Sequence, residues 1–181
     1  MTIILIGCII IIIICILLIG YMVIYNKFQE FIIRINEAEV EIDTILRKRF
    51  DLLNKSISII KANTNTEDDV LELIVKLRSR KLTNFELDRN LYDAINEFNQ
   101  YSDKYPELKE SDNFIKIELG LSESEAEIMA CRKYYNDIIT DYNRMVRSLP
   151  SSIVAKLAKF KEKNYFDGRD RNDDILNDFK L

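Results

Sequence analysis

Residues 3–25, IILIGCIIIIIICILLIGYMVIY, contain no charged side chain. As a helix rising 1.5 Å per residue, this run spans about 34 Å, enough to cross a hydrocarbon core about 30 Å thick with some tilt. Tyr21 and Tyr25 stand at the end where interfacial aromatic residues belong, and Lys27 follows directly. A secretory signal needs a basic leader, a shorter apolar core and a small-residue cleavage site, none of which is present. Leu5-Ile6-Gly7-Cys8 has a passing likeness to a lipoprotein box, but none of the residues before the cysteine is basic. The expectation is a retained single-pass anchor whose partner is the lipid bilayer. No Lys or Arg precedes the span, whereas Lys27, Arg34, Arg47, Lys48 and Arg49 follow it. The positive-inside tendency then places a short N-terminus outside the cell membrane and the rest of the chain in the cytoplasm.

Neither Pro nor Gly occurs between Gly20 and Pro106. From Phe28 the apolar residues recur in steps of three and four through Phe31, Ile35, Ala38, Ile42, Ile45/Leu46, Leu52/Leu53, Ile57 and Ile60. That period predicts an amphipathic helix continuing the anchor to about Asn63. Thr66 with Asp69 forms one capping box, before Val70, Leu71, Ile74 and Leu77. Thr83 with Glu86 forms a second, before Leu87, Leu91, Ile95, Phe98 and Tyr101. Pro106 requires the second of these helices to stop before it. A last long helix is expected from Ser111–Asn113 to Leu149-Pro150, with a stripe through Phe114, Ile117, Leu121, Ile128, Cys131, Tyr135, Ile138 and Tyr142. Gly120 weakens it by roughly 0.5–1 kcal/mol relative to Ala. A short helix over Ser152–Phe160 follows. No strand-like alternation of useful length exists. The fold class is all-α: an N-terminal transmembrane helix (1–25) continuing into an elongated antiparallel bundle of about four helices (26–166), with a charged tail (167–181) expected to fray.

Composition excludes more than it suggests. All 26 Lys/Arg and 30 Asp/Glu lie after Tyr25, giving a net charge of -4 with no basic stripe. A nucleic-acid surface needs clustered cations, so none is expected. The absence of His removes the commonest general base and the commonest transition-metal ligand. Cys8 and Cys15 lie in the apolar segment and Cys131 stands alone in the polar part, so a Cys-cluster metal site is not expected. Four glycines, Gly7, Gly20, Gly120 and Gly168, cannot build a phosphate-cradling loop. No cofactor, no metal and no catalysis are expected.

Several motifs resemble the LemA family in order and spacing over about residues 20–166. They are Tyr25-Asn26, RKRFDLLNK (47–55), YPELK (105–109), Phe114, Ser124-Glu125, CRKYYN (131–136), Tyr142-Asn143 and Leu149-Pro150. Asn54 departs from the family pattern, which has Pro there; Gly120 replaces a commonly acidic residue and Cys131 replaces Ala. Residues 63–104 match poorly. The resemblance implies a membrane-anchored antiparallel helical bundle, and no established catalytic activity.

The Tyr-Asn pairs at 135–136 and 142–143 recur after seven residues, two helical turns, so they share one side of a helix with Arg132. A buried Asn left unpaired costs about 1–3 kcal/mol, so it needs a defined neighbour. Arg132, Tyr135, Asn136, Tyr142 and Asn143 therefore read as an interhelical polar network facing Arg47, Arg49 or Asp51 of the first helix, or as a small polar pocket. Arg47 and Asp51 are also spaced for an i,i+4 pair. Arg47-Lys48-Arg49 lies about 30 Å along the rod, well beyond a Debye length of about 8 Å from the membrane, so it reads as structural or solvated charge rather than a lipid patch. Glu37, Glu39 and Glu41, and Glu123, Glu125 and Glu127, alternate along their helices and diverge, so they read as solvated faces. The function expected is a membrane-anchored scaffold or protein-interaction module with a protein partner or self-association. The alternative is a membrane-associated sensor with a small ligand pocket.

Overall fold

The structure, a computed structural model, describes residues 1–63 and 83–166. Among the described residues the α-helices are α1 (Thr2–Asn63), α2 (Asn84–Lys104), α3 (Asp112–Arg147) and α4 (Ser151–Ala158). A 3-10 turn, Pro106–Glu110, separates α2 from α3, and no strand occurs among the described residues. The helix expected around Val70–Leu77 and the tail 167–181 lie outside the described residues. The chain divides into two compact units, Met1–Ala38 with Tyr134–Tyr165, and Glu39–Lys133 with Phe166.

In the first unit, α1 begins with the uncharged segment, whose large apolar side chains are exposed as far as Val23. This helix is long and apolar enough to cross a membrane. From Phe28 its stripe turns inward: Phe28, Phe31, Ile35 and Ala38 are buried, as are Tyr135, Ile138, Ile139 and Tyr142 of α3, and the Tyr142 ring meets Phe28 and Phe31. The two helices are antiparallel. The Arg34 guanidinium lies 5.9 Å from the Tyr134 ring centre, while the Tyr142 ring meets Phe28 edge-on at 5.8 Å and Phe31 at 6.5 Å. α3 ends at Arg147, before Leu149-Pro150, and α4 buries Ser151, Val154 and Ala155. Lys159 then takes a left-handed conformation (φ 60°) and the Phe160 N–H donates to the Ala155 carbonyl at 2.9 Å. This is a Schellman-type closure, which satisfies the orphan carbonyls of a helix end. It turns the chain so that the Phe160 ring stacks on Phe28 at 4.6 Å and meets Tyr25 at 5.6 Å.

In the second unit, α1 buries Ile42, Ile45, Leu46, Leu53 and Ile60, and α3 buries Phe114, Ile117, Leu121, Ile128 and Cys131. α2 contributes Leu91, Ala94 and Phe98, and Phe98 stacks on Phe114 at 4.9 Å. Its start carries the expected capping box. The Glu86 N–H donates to Thr83 Oγ1 at 3.3 Å, and the Thr83 N–H donates to Glu86 Oε2 at 2.9 Å. Those bonds to the ionised form hold the Glu86 carboxyl below the usual carboxylate range, the Thr83 backbone bond contributing most. Gly120 lets α3 approach α1 closely, since a Cβ there would stand 3.2 Å from Leu52 Cδ1.

Candidate functional site

Polar residues interrupt both long stripes of the second unit. On α1, Arg49 and Ser56 fall in step with Ile42, Ile45, Leu53 and Ile60, and both are fully buried. On α3, Ser124 sits between Leu121 and Ile128 and is also buried. The two serines turn their hydroxyls back into their own helices: Ser56 Oγ donates to Leu53 O at 2.7 Å and Ser124 Oγ to Leu121 O at 2.6 Å. An arginine has no such local escape, because its guanidinium carries five donors and a charge that must be compensated when desolvated.

Arg49 finds its compensation in two carboxylates. Its Nη2 donates to Glu125 Oε2 at 2.5 Å, and its Nη1 stands 3.7 Å from Asp88 Oδ1. Asp88, on the buried side of α2 one turn before Leu91, is 3% exposed and also accepts a short bond from Arg132 Nη2. A buried carboxylate thus bridges two guanidiniums from α1 and α3, with half-exposed Glu125 balancing the second positive charge. The arrangement is not saturated: Arg49 Nε and Nη1, Asp88 Oδ1 and Arg132 Nε are buried without a hydrogen-bond partner. Phe166 covers Arg132 from outside, its ring centre 5.9 Å from the guanidinium carbon, and also packs edge-on against Phe85.

Other residues singled out from the sequence lie elsewhere. Arg47 is exposed and pairs with Asp43 at 2.7 Å, the hydrogen bond that raises its pKa most; Asp51 is exposed and adds only a distant charge. Lys48 reaches across to Glu127 at 3.0 Å. Glu125 and Glu127 are therefore partners of α1 cations rather than parts of a purely solvated face. Neighbouring Cys131 is buried, and burial pushes its thiol pKa up, with Glu41 adding to the effect.

In the first unit, Tyr135 and Tyr142 are buried and Asn136 is half-buried. Burial pushes the Tyr142 phenol up. Asn143 grips an irregular segment by its backbone: its Nδ2 donates to Lys163 O at 2.8 Å and its Oδ1 accepts from the Lys163 N–H at 2.9 Å. Arg147 chelates Glu162 beside it, with Nε 2.8 Å from Oε1, and Thr140 Oγ1 donates to the Tyr165 hydroxyl at 3.4 Å. The structure thus brings Arg49 and Arg132 together through Asp88, which the sequence reading did not single out. It gives Asn143 a backbone partner instead of a side chain on α1.

The LemA family model matches residues 38–177. "Protein LemA" of Metamycoplasma hominis is 28% identical over 130 residues, covering 67% of this chain and 59% of that protein. The chain thus spans rather less than two thirds of the length of the curated relative it matches.

Proposed function

The chain belongs to the LemA family, and from that premise we propose that it is a membrane-anchored helical scaffold that presents one face of α3 to a protein partner. The observation that carries the proposal is a second, outward stripe on α3. Ile115, Leu119, Ser122, Ala126 and Met129 follow one another in steps of four and three, and all are exposed. This is the spacing of a helix–helix seam, with small residues at its centre that allow close approach. The polar residues of the resemblance motifs argue the same way, because Arg132 and Asn143 are engaged within the protein. We assign the chain no reaction. In this reading the uncharged segment is the anchor, and the cations that follow it support a cytoplasmic body.

Photo-crosslinking residues placed at Leu119 and Met129 should give discrete protein adducts in native membranes, while one at Tyr92, exposed on α2, should not. Equal yields at all three positions, or none, would remove the docking face. An impermeant thiol reagent on intact cells reads the orientation: modification of a cysteine introduced at Lys161 would reverse it. A second reading, a small polar ligand held at the Arg49–Asp88–Arg132 cluster, is favoured by the unpartnered atoms there. It requires a melting temperature that rises with a small carboxylic acid or phosphate in the parent protein and not in Arg49→Met.

A further inference from the structure

We infer that α4 is an interfacial element which lays Ile153 and Leu157 into the headgroup boundary of the same bilayer that α1 crosses; this rests on the reading of residues 3–25 as a span. α4 has two apolar faces. Ser151, Val154 and Ala155 pack inward, while Ile153 and Leu157, four residues apart and 56% and 68% exposed, point away from the protein, as does Leu149 before them. A helix of eight residues with a buried stripe has no structural need for a second apolar stripe in water.

The position of α4 along α1 identifies the occupant. Tyr134 stands beside Arg34 and Tyr142 beside Phe28 and Phe31, so α3 descends toward the uncharged segment. The five residues from Tyr142 to Arg147 carry it about 7.5 Å further, to the level of the last turn of that segment, and the chain then enters α4. At the other end of α4, Phe160 packs on Tyr25 and Phe28. Both ends of α4 therefore stand beside the aromatic end of the span. Asn143 and Arg147 hold the returning segment there through Lys163 and Glu162.

Charge selects the same occupant. Ser148–Lys161 contains Lys156, Lys159 and Lys161, all exposed, and no Asp or Glu, in a chain of net charge -4. Apolar side chains flanked by lysines whose stems can reach up to phosphate are the pattern of a helix lying in an anionic interface.

The chain has no Trp, so one introduced residue reports its own surroundings. Full-length Leu157→Trp and, separately, Ile153→Trp would be reconstituted in vesicles of phosphatidylcholine and phosphatidylglycerol carrying bromine near the headgroup or deep in the acyl chain. Ile12→Trp reports the span, and Asp137→Trp, exposed on α3, reports solvent above it. The expected result is blue-shifted emission from positions 153 and 157 that loses most of its intensity to shallow bromine and little to deep bromine. Ile12→Trp should show the reverse order, and Asp137→Trp no loss. Quenching of Ile12→Trp without quenching at 153 or 157 overturns the inference and leaves the anchor standing. No quenching at any position overturns both. Blue-shifted emission at 153 and 157 that bromine does not touch, and that depends on protein concentration, assigns the face to a second copy and overturns the inference as well.

Discussion

Replacing Asp88 with Ala removes the carboxylate buried between Arg49 and Arg132, and the cost follows from what each guanidinium has left. Arg49, 1% exposed, loses a partner 3.7 Å away. At an effective dielectric constant of about 20 that attraction is about 4 kcal/mol. It retains Glu125 at 2.5 Å, but that carboxylate is 38% exposed and therefore partly screened by water. Arg132, 25% exposed, can turn its head group toward solvent and loses less. The desolvation of Asp88 itself is relieved, which offsets part of the loss. Breaking a buried pair costs about 3–5 kcal/mol in general, and the remaining Glu125 contact sets the expectation at the lower end, about 3 kcal/mol. Urea unfolding of the full chain in detergent, followed by far-ultraviolet circular dichroism, measures it. The double variant Arg49→Met/Asp88→Leu, which removes both fully buried charges of this cluster, should return to within about 1 kcal/mol of the parent, because well-packed apolar residues replace buried ion pairs at little cost. If Asp88→Ala stays within about 0.5 kcal/mol of the parent, the range of ordinary surface changes, or if the double variant is no more stable than the single, the electrostatic account of this cluster is wrong.

Asn143→Leu removes both side-chain bonds to Lys163 and should cost about 1–3 kcal/mol; hydrogen exchange should accelerate in residues 159–166 while the α3 amides keep their protection. Cys131 has a raised thiol pKa through burial, so alkylation should stay slow until well above the pH at which an exposed thiol ionises. The sign for stability follows from the raised folded value: the contribution is complete below the thiol's ordinary pKa and is lost as pH rises, and a Cys131→Ala variant should lose that alkaline decline. Glu86 titrates in the opposite sense. Its depressed carboxyl pKa makes the capping bonds fully stabilising above the ordinary carboxylate range, and acid removes them. Thermal melts of the parent and Glu86→Gln should therefore differ at neutral pH and converge on acidification.

The two long stripes, the capping box at Thr83 and the breaks before Pro106 and Pro150 were legible because each is a local pattern. The Arg49–Asp88–Arg132 cluster was only half legible. The apolar stripe of α1 skips from Ile45/Leu46 to Leu52/Leu53, and that of α3 from Leu121 to Ile128. Each gap of two turns marks a polar residue on the buried face, Arg49 in one and Ser124 in the other. Asp88 left no such gap on α2, because Leu87 and Leu91 keep the apolar stripe unbroken, whereas the buried face runs through Asp88, Leu91, Ala94 and Phe98. Glu125 was misread for a physical reason. Alternate carboxylates on one helix do diverge by about 200°, which excludes convergence among themselves but says nothing of a cation arriving from another helix. The partner of Asn143 left no sequence signal, because a backbone amide in an irregular segment has no periodicity.

The residues that make the family resemblance specific are turned inward. Arg132 of CRKYYN holds Asp88, and Tyr142 and Asn143 hold Phe28 and Lys163. Buried geometry dictates such residues, so sharing them with relatives transfers the architecture and leaves the partner open. The outward stripe on α3 is under no such dictate. Packing would accept polar residues at Ile115, Leu119 and Met129, and each exposed apolar group forgoes about 25 cal/mol for every Å² it leaves in water. Apolar residues at seam spacing where the fold gains nothing from them are what the proposed docking face rests on. A triple Ile115→Ser, Leu119→Gln, Met129→Gln variant separates the two roles: its unfolding free energy should match the parent within about 0.5 kcal/mol, as for ordinary surface changes, while its crosslinked partner disappears. Loss of stability comparable to that of Asp88→Ala would make the stripe part of the fold, and the docking face would then have to be sought elsewhere.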